Sequence, residues 1–355
     1  MVKLKYSQLR RRQGYIVFMI TIAILTLTLN TVLSLYKNSI AEYDRVKNQA
    51  DYNKAKFLAQ GGLATAINFL NRIPRHFLYA QGFHDVPFPF TFNGLITEPM
   101  VFQISEESGK LNPNSLVNFF DDEVNFATRG MLDRLAESLG MPQENWDAVV
   151  DWIDENDSKR PYGFESFYYA SLEPPRRIKN ARLHSLSELL MIEGFDSWVL
   201  FADKRTEEEK EMYSTDFYSP EELELVQSSD FKLSNNLSVY LQNTPGPGIS
   251  KVNINSAPYH VVMSLSEFMQ PQIARSILLE RNKKGYFKSI DSMKNIPLIN
   301  QKSVGNLTLL QEIEGRIVFN DRIFKIVITG QVGNQLASVI GIYDISGKKL
   351  VRYMD

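Results

Sequence analysis

An apolar run from about Tyr15 to Tyr36, headed by the basic stretch RRRQG, dominates the first part of this 355-residue chain. It is close to the roughly 20 residues a helix needs to cross hydrocarbon. Thr21, Thr26, Thr28, Asn30 and Thr31 dilute it. Hydroxyls can bond to their own helix backbone, whereas the amide of Asn30 suits a partner helix. Lys3, Lys5, Arg10, Arg11 and Arg12 precede the run with no acid among them; Lys37, Glu42, Asp44 and Arg45 follow it in mixture. The excess of basic residues ahead of the run predicts a short cytoplasmic N-terminus and a bulk outside. The alternative is a cleavable secretory signal, which needs a short apolar core and a small-x-small cleavage site. Here the core is too long and continues into more helix.

Apolar residues recur at Tyr36, Ile40, Tyr43, Val46, Ala50, Leu58, Ala64, Ile67 and Leu70, mostly three or four apart, until Pro74. That spacing predicts one helix from Tyr15 to about Arg72, roughly 85 Å long at 1.5 Å per residue. Gly61 and Gly62 would be weak points, tolerable where another surface approaches closely. Half of the helix would lie in the membrane, and half would be free to pack on a domain.

Residues 74–98, rich in Pro, Phe and Gly, predict loop or irregular strand. MVFQISEESGKLN predicts a strand from Met100, turning at Ser108-Gly109. Helical spacing then covers Phe119–Leu139 and Trp146–Ile153, with Asn145 as a cap of the second helix. A Pro/Gly loop follows, and SLSELLMIEGF predicts a short helix capped by Ser187 and stopped by Gly194. Residues 203–222 are charged, with Glu207-Glu208-Glu209 as a solvated face. LSVYLQN predicts a strand, TPGPG a break, and residues 252–295 a second helical block. RIFKIVITGQVGNQLASVIGIYDISGKKLVRYM predicts an antiparallel meander of about three strands turning at Gly333-Asn334 and Ser346-Gly347. Strands at both ends of the helical blocks predict one sheet with the helices inserted into it, an α+β class.

The composition, 44% hydrophobic and 23% charged with a formal charge of −2, is that of a folded protein with no general attraction to nucleic acid. Cysteine is absent, which excludes disulfides, thiolate metal sites and a cysteine nucleophile. His76, His84, His184 and His260 form no i, i+4 pair. No HExxH, GxSxG, phosphate-binding loop or GxGxxG occurs, so no catalytic constellation is predicted. In DWIDENDSKRPYGFES, the acids Asp151, Asp154, Asp157 and Glu165 surround a Pro/Gly loop. With Asn156 and carbonyls they could build a calcium shell of six to eight oxygens, though not with EF-hand spacing; equally, they could be loop and cap acids. Residues 252–295 resemble a helix-hairpin-helix unit. Its turn, SEFMQPQ, lacks the glycines that let backbone N–H groups cradle a phosphate, so it reads as a packing module.

The leader ending RRRQG, FLAQGGLATAINFL, ISEESGKLNPNSL, the block VVDWIDENDSKRPYGFESFYYASLEPPRRIKNARLHSLSELLMIEGF and VNINSAPYHVV occur in an order that resembles a known family. That family is minor pseudopilin K, general secretion pathway protein K, of type II secretion systems. The resemblance implies a pilin-like fold, a long N-terminal helix plus antiparallel sheet. A large inserted all-helical region would contain SAM-like and helix-hairpin-helix-like units. It implies a leader over residues 1–14, a transmembrane part over 15–36 and a periplasmic helix over 37–73. Pilin-like strands and loops follow over 74–118, and a first helical region over 119–236. A strand and linker over 237–250, a second helical unit over 251–315 and terminal strands over 316–355 complete the chain.

By resemblance, prepilin peptidase would cut after Gly14 and leave Tyr15 as the methylated N-terminus, in a single-pass inner-membrane protein with its bulk in the periplasm. Partners would be minor pseudopilins I and J, the major pseudopilin and the inner-membrane assembly platform. No nucleic acid and no catalytic activity are implied. The function implied is initiation of filament assembly at the pseudopilus tip, in support of export across the outer membrane. Most pilin-like subunits carry a glutamate five residues after the glycine, which can pair with a neighbour's N-terminal ammonium. Met19 stands there, consistent with a tip subunit that has no neighbour above it and no use for a carboxylate in lipid. The family also suggests calcium, carried here to Asp154, Asp157 and Glu165. A type IV pilus minor pilin and a membrane-tethered DNA-binding module remain as alternatives.

Overall fold

In the computed structural model, residues 2–74, 100–118, 120–212, 228–240, 251–303, 305–320 and 322–354 are described, with side chains from residue 15 onward except at 209, 211, 212, 228 and 229. Helix α1 runs over Val2–Arg72. Its apolar part is long and apolar enough to cross a membrane, with a mean hydropathy of 2.3 over its best window, and none of that window is covered by the chain itself. The threonines within it spend their hydroxyls on the helix. Thr21 donates to Phe18 O at 2.8 Å, Thr26 to Ala23 O at 2.9 Å, Thr28 to Leu25 O at 2.9 Å and Thr31 to Leu27 O at 2.8 Å. This is how hydroxyls become tolerable in hydrocarbon.

Beyond Asp51, α1 buries Ala55, Ala59, Leu63, Ala66 and Leu70, one face at helical spacing. The close approach expected at Gly61 is not made: beyond its own helix turn, nothing lies within 4 Å of a Cβ built there.

Four strands form one sheet: β1 (Met100–Glu106), β2 (Ile323–Val332), β3 (Gln335–Asp344) and β4 (Lys349–Met354), in the order β1-β2-β3-β4. Residues 107–322 are therefore inserted between two adjacent strands, as the pattern of strands and helices predicts. Gly333 has φ +56 in the two-residue connection of β2 and β3, the left-handed geometry that tight hairpins need. Asp344 holds the next turn, accepting from the N–H groups of Ser346 at 2.9 Å and Gly347 at 3.1 Å. β3 and β4 pair antiparallel with a bulge at Ile342/Tyr343.

The described residues fall into two units. One comprises α1 up to Gly61 with Met100 and Thr329–Ser338; the other comprises the rest. In the first, Ala55 packs with Val332 and Ala337. A Cβ on Gly330 would stand 2.4 Å from Ala55 O, so the hairpin reaches the helix only because residue 330 has no side chain. In the second, a Cβ on Gly341 would stand 2.6 Å from Leu63 Cδ1.

The helical insert has one continuous core, with Trp146, Trp152, Tyr169, Leu132, Val262 and Ile277 fully or almost fully buried. Buried asparagines stitch its loops. Asn114 accepts from Leu183 N–H at 2.7 Å and donates to Leu183 O at 2.9 Å. Asn255 makes the same pair of bonds with Phe287, at 2.7 and 2.9 Å.

Several local expectations are corrected. Helix α2 is Phe126–Ser138, not a helix from Phe119. Val117–Asn118 first pairs antiparallel with Glu123–Val124, and Asn125 caps the helix through Thr128 N–H. Phe119 itself lies outside the described residues. Asn145 does not cap α3 (Asn145–Ile153). It is the first helical residue, and its amide donates to Gly194 O at 2.9 Å. Ser185, not Ser187, caps the 3-10 turn Leu186–Met191, in a capping box with Glu188. The start of LSVYLQN makes an isolated parallel bridge, Leu111 with Leu237, rather than a strand. Its last residues, 241–243, TPGPG, residues 75–99 with His76 and His84, and residues 213–227 lie outside the described residues.

Candidate functional site

Helix α3 places Asp147 and Asp151 one turn apart, and Asp154 is its C-cap. The chain then loops through Pro161 to Glu165, the N-cap of α4 (Ser166–Ala170), which makes no side-chain cap bond. Asp151 and Asp154 are completely buried and Glu165 is 7% exposed. Carboxylates are rarely buried so fully without partners.

The loop is held by bonds that use only part of each carboxylate. Arg160 N–H donates to Asp151 Oδ2 at 3.1 Å. Asn156 Nδ2 donates to Asp154 Oδ2 at 3.1 Å. Asp122, on the turn before α2, accepts from Glu155 N–H at 3.0 Å and from Asn156 Nδ2 at 2.8 Å. Arg129 of α2 donates to Asp147 Oδ1 at 2.5 Å. A Cβ on Gly163 would stand 1.8 Å from Asp151 Oδ2, so the loop can close over Asp151 only with glycine there.

Four buried oxygens remain without a hydrogen bond: Asp151 Oδ1, Asp154 Oδ1, and Oε1 and Oε2 of Glu165. Burial raises the pKa of Asp154 to about 7, with the charges of Asp122 and Asp151 adding to it while Arg160 opposes. Burial likewise lifts Glu165 to about 7, reinforced by Asp151, Asp154 and Asp157 and moderated by the neighbouring Ser166 N–H. Asp151 is raised for the same first reason, burial. Orphaned hard oxygens in a low dielectric are the donor chemistry of a hard divalent cation. Among the described residues, no three such side chains already stand in a metal-holding arrangement. The donor set fits; the arrangement is partly closed on Arg160, whose Nη1 lies 3.7 Å from Asp151 Oδ1 and 3.5 Å from Asp154 Oδ2.

Of the residues singled out for calcium, Asp154 and Glu165 come together with Asp151. Asp157 is exposed on the rim and accepts from Ser166 Oγ at 3.2 Å. Asp147, Asp122 and Arg160 were not in that set. Asp147 was legible as the acid four residues before Asp151; Asp122, far off in sequence, carried no signal. Gly14, Tyr15 and Met19 all lie on α1, with Tyr15 and Met19 exposed.

The helix-hairpin-helix-like unit joins α5 (Tyr259–Ser264) to α6 (Pro271–Lys284). Its turn uses its own donors. Phe268 N–H bonds to Ser266 Oγ at 3.1 Å and Met269 N–H to Ser266 O at 3.2 Å, which leaves neither for a phosphate. His260 is buried beside Ser138 Oγ, at 3.3 Å from Nδ1, in ring contact with Phe231 and Tyr259.

Comparisons with known proteins match these parts. The family described as Type II secretion system (T2SS), protein K, matches residues 109–201, and the Helix-hairpin-helix motif matches 248–308. The Type II secretion system protein K of Pectobacterium carotovorum subsp. carotovorum is 24% identical over 201 residues, 53% of this chain and 60% of that protein. The chain thus aligns with about three-fifths of that relative's length. In the crystal structure of the GspK-GspI-GspJ complex from the enterotoxigenic Escherichia coli Type 2 Secretion System, one chain has the same fold. The TM-score is 0.61 at 15% identity, over 87% of this chain and 98% of that one. The first helical region, with the carboxylate cluster inside it, carries the similarity to the type II secretion system protein K family.

Proposed function

We propose that this chain is a minor pseudopilin at the tip of a type II secretion pseudopilus, where it helps initiate filament assembly and so supports export across the outer membrane. The observation that carries the reading is that the family signature, residues 109–201, lies inside a helical insert between two adjacent strands of the sheet. A helix with an uncovered apolar part supplies the anchor. In this reading the chain crosses the inner membrane once, residues 1–14 are a cytoplasmic leader removed by prepilin peptidase, and Tyr15 becomes the methylated N-terminus. Met19, apolar in the hydrocarbon, fits a subunit with none above it to pair with. The partners are minor pseudopilins I and J, then the major pseudopilin and the inner-membrane assembly platform. The role is assembly, not catalysis.

We further propose that Asp151, Asp154 and Glu165 hold calcium, with Asp157 at the rim. Bound there, the ion would supply the charge neutralisation and oxygen coordination that the buried carboxylates lack, and so order the loop between α3 and α4. Two measurements test the assembly reading. Mass spectrometry of the chain from cells with active prepilin peptidase should show Tyr15 as the first residue; an intact Met1 sinks the processing claim. Affinity purification from the membrane should bring down two other pilin-like subunits, and a solitary chain sinks the tip complex.

A further inference from the structure

Arg160 reaches into the carboxylate cluster in an unusual way. Its side chain is 22% exposed while the two carboxyls beside it are fully buried. Nη1 is near both, yet Asp151 Oδ1 and Asp154 Oδ1 accept no hydrogen bond. The guanidinium offsets charge without satisfying the oxygens. It also brings one positive charge to two buried carboxylates, while Glu165, whose charge is disfavoured by both of them, keeps both oxygens free of hydrogen bonds.

The segment carrying Arg160 lets the side chain leave without unfolding. Its backbone is held on both sides, by Arg160 N–H to Asp151 Oδ2 and by Gly163 N–H to Arg160 O at 3.1 Å. Residues 157–159, 161 and 162 are exposed and the Arg160 side chain is itself 22% exposed, so solvent lies next to the loop that carries it. A compact divalent ion takes oxygens at short range and exchanges them as hard ligands. An arginine fork binds one carboxylate well only when bidentate, and here it is not.

We infer that Arg160 is a built-in stand-in cation that sits beside Asp151 and Asp154 and must swing to solvent before a divalent ion can enter. The inference rests on the cation reading above. Arg160 then has two effects. It blunts carboxylate repulsion in the ion-free protein, and it sets the affinity, because each binding event must displace it.

The test uses the full chain in detergent, calcium chloride as the probe, and Arg160→Gln and Arg160→Lys beside the wild type. Melting is followed by tryptophan fluorescence, since Trp146 and Trp152 share α3 with Asp151. Without calcium, Arg160→Gln melts below wild type; at saturating calcium the two converge. By calorimetry its Kd for calcium tightens roughly tenfold, because apparent affinity scales with the fraction of sites left open. Arg160→Lys keeps wild-type behaviour. A parallel loss with and without calcium, at unchanged or weaker Kd, overturns the inference and leaves the cation reading standing. No calcium response in the wild type removes the cation reading, and the inference with it. If Arg160→Gln does not fold, the wild type carries the test. Calcium should then increase modification of Arg160 by phenylglyoxal, read by peptide mass spectrometry; unchanged or reduced labelling overturns the inference.

Discussion

Gly163 lies so close over Asp151 that a Cβ added to it would overlap Asp151 Oδ2, at 1.8 Å. The neighbour is a buried, hydrogen-bonded carboxylate, and it cannot yield without breaking its bond from Arg160 N–H. Gly163→Ala is expected to destabilise the helical insert by about 1–3 kcal/mol, the usual cost of overpacking. Gly61→Ala serves as the reference, because nothing lies within 4 Å of a Cβ built there. Denaturant unfolding reads the loss; an unchanged midpoint for Gly163→Ala would show that the loop closes less tightly.

Glu165→Gln has opposite effects with and without calcium. Glu165 is buried with both oxygens unbonded, and burial with three acid neighbours already disfavours its charge. Removing that charge should raise the melting temperature in chelator. It should also abolish most of the calcium-induced shift, since a shift of stability by a ligand requires binding to the folded state. A calcium shift kept at full size would exclude Glu165 as a ligand.

Gly330 tests the meeting of hairpin and helix within the first unit. Its added Cβ would meet Ala55 O, a backbone atom that cannot rotate away. Gly330→Val is expected to cost more than Gly330→Ala, each within about 1–3 kcal/mol. Cross-linking of engineered cysteines at Leu58 and Val332 checks that the hairpin has lifted. Wild-type yields in Gly330→Val would refute the tight approach.

His260 predicts an acid limb. Burial lowers its pKa to about 4, with Arg205 adding to the effect and Asp203 opposing it; an unfolded histidine titrates near 6.5. Between those values the unfolded chain binds a proton that the folded chain refuses. Stability therefore falls as pH drops from about 6.5 to about 4 and this contribution is flat below that. The loss is roughly 3 kcal/mol at 1.36 kcal/mol per unit. His260→Leu should flatten this part of the stability profile relative to wild type. Equal slopes from chemical denaturation at pH 6.5, 5.5 and 4.5 would assign the acid limb to other groups.

The long helix, the meander and the insertion of helices into one sheet were legible because each rests on periodicity over many residues. Helix starts were less so. Asn145 looked like a cap but bonds to Gly194, forty-nine positions away along the chain, and tertiary contacts override local capping preference. The cluster was half legible. Asp151, Asp154 and Glu165 stand in one short segment, but burial, which separates them from exposed Asp157, is a property of packing. Asp122 and Arg160 matter through where the loop folds, which spacing does not encode.

Glu107 N–H bonds to Ile323 O at 2.8 Å, where β1 ends and β2 begins. The insert therefore leaves the sheet and returns to it at a single point. During synthesis, β1 emerges long before its neighbour, and β3 and β4 come last of all. A nascent chain must hold an unpaired strand until nearly all of its length has been made. The exposed edge favours wrong pairing with other chains. A chain of this design has the late completion of its sheet as the slow, vulnerable step of its folding. The insert, whose core is self-contained, can fold ahead of the sheet that will carry it.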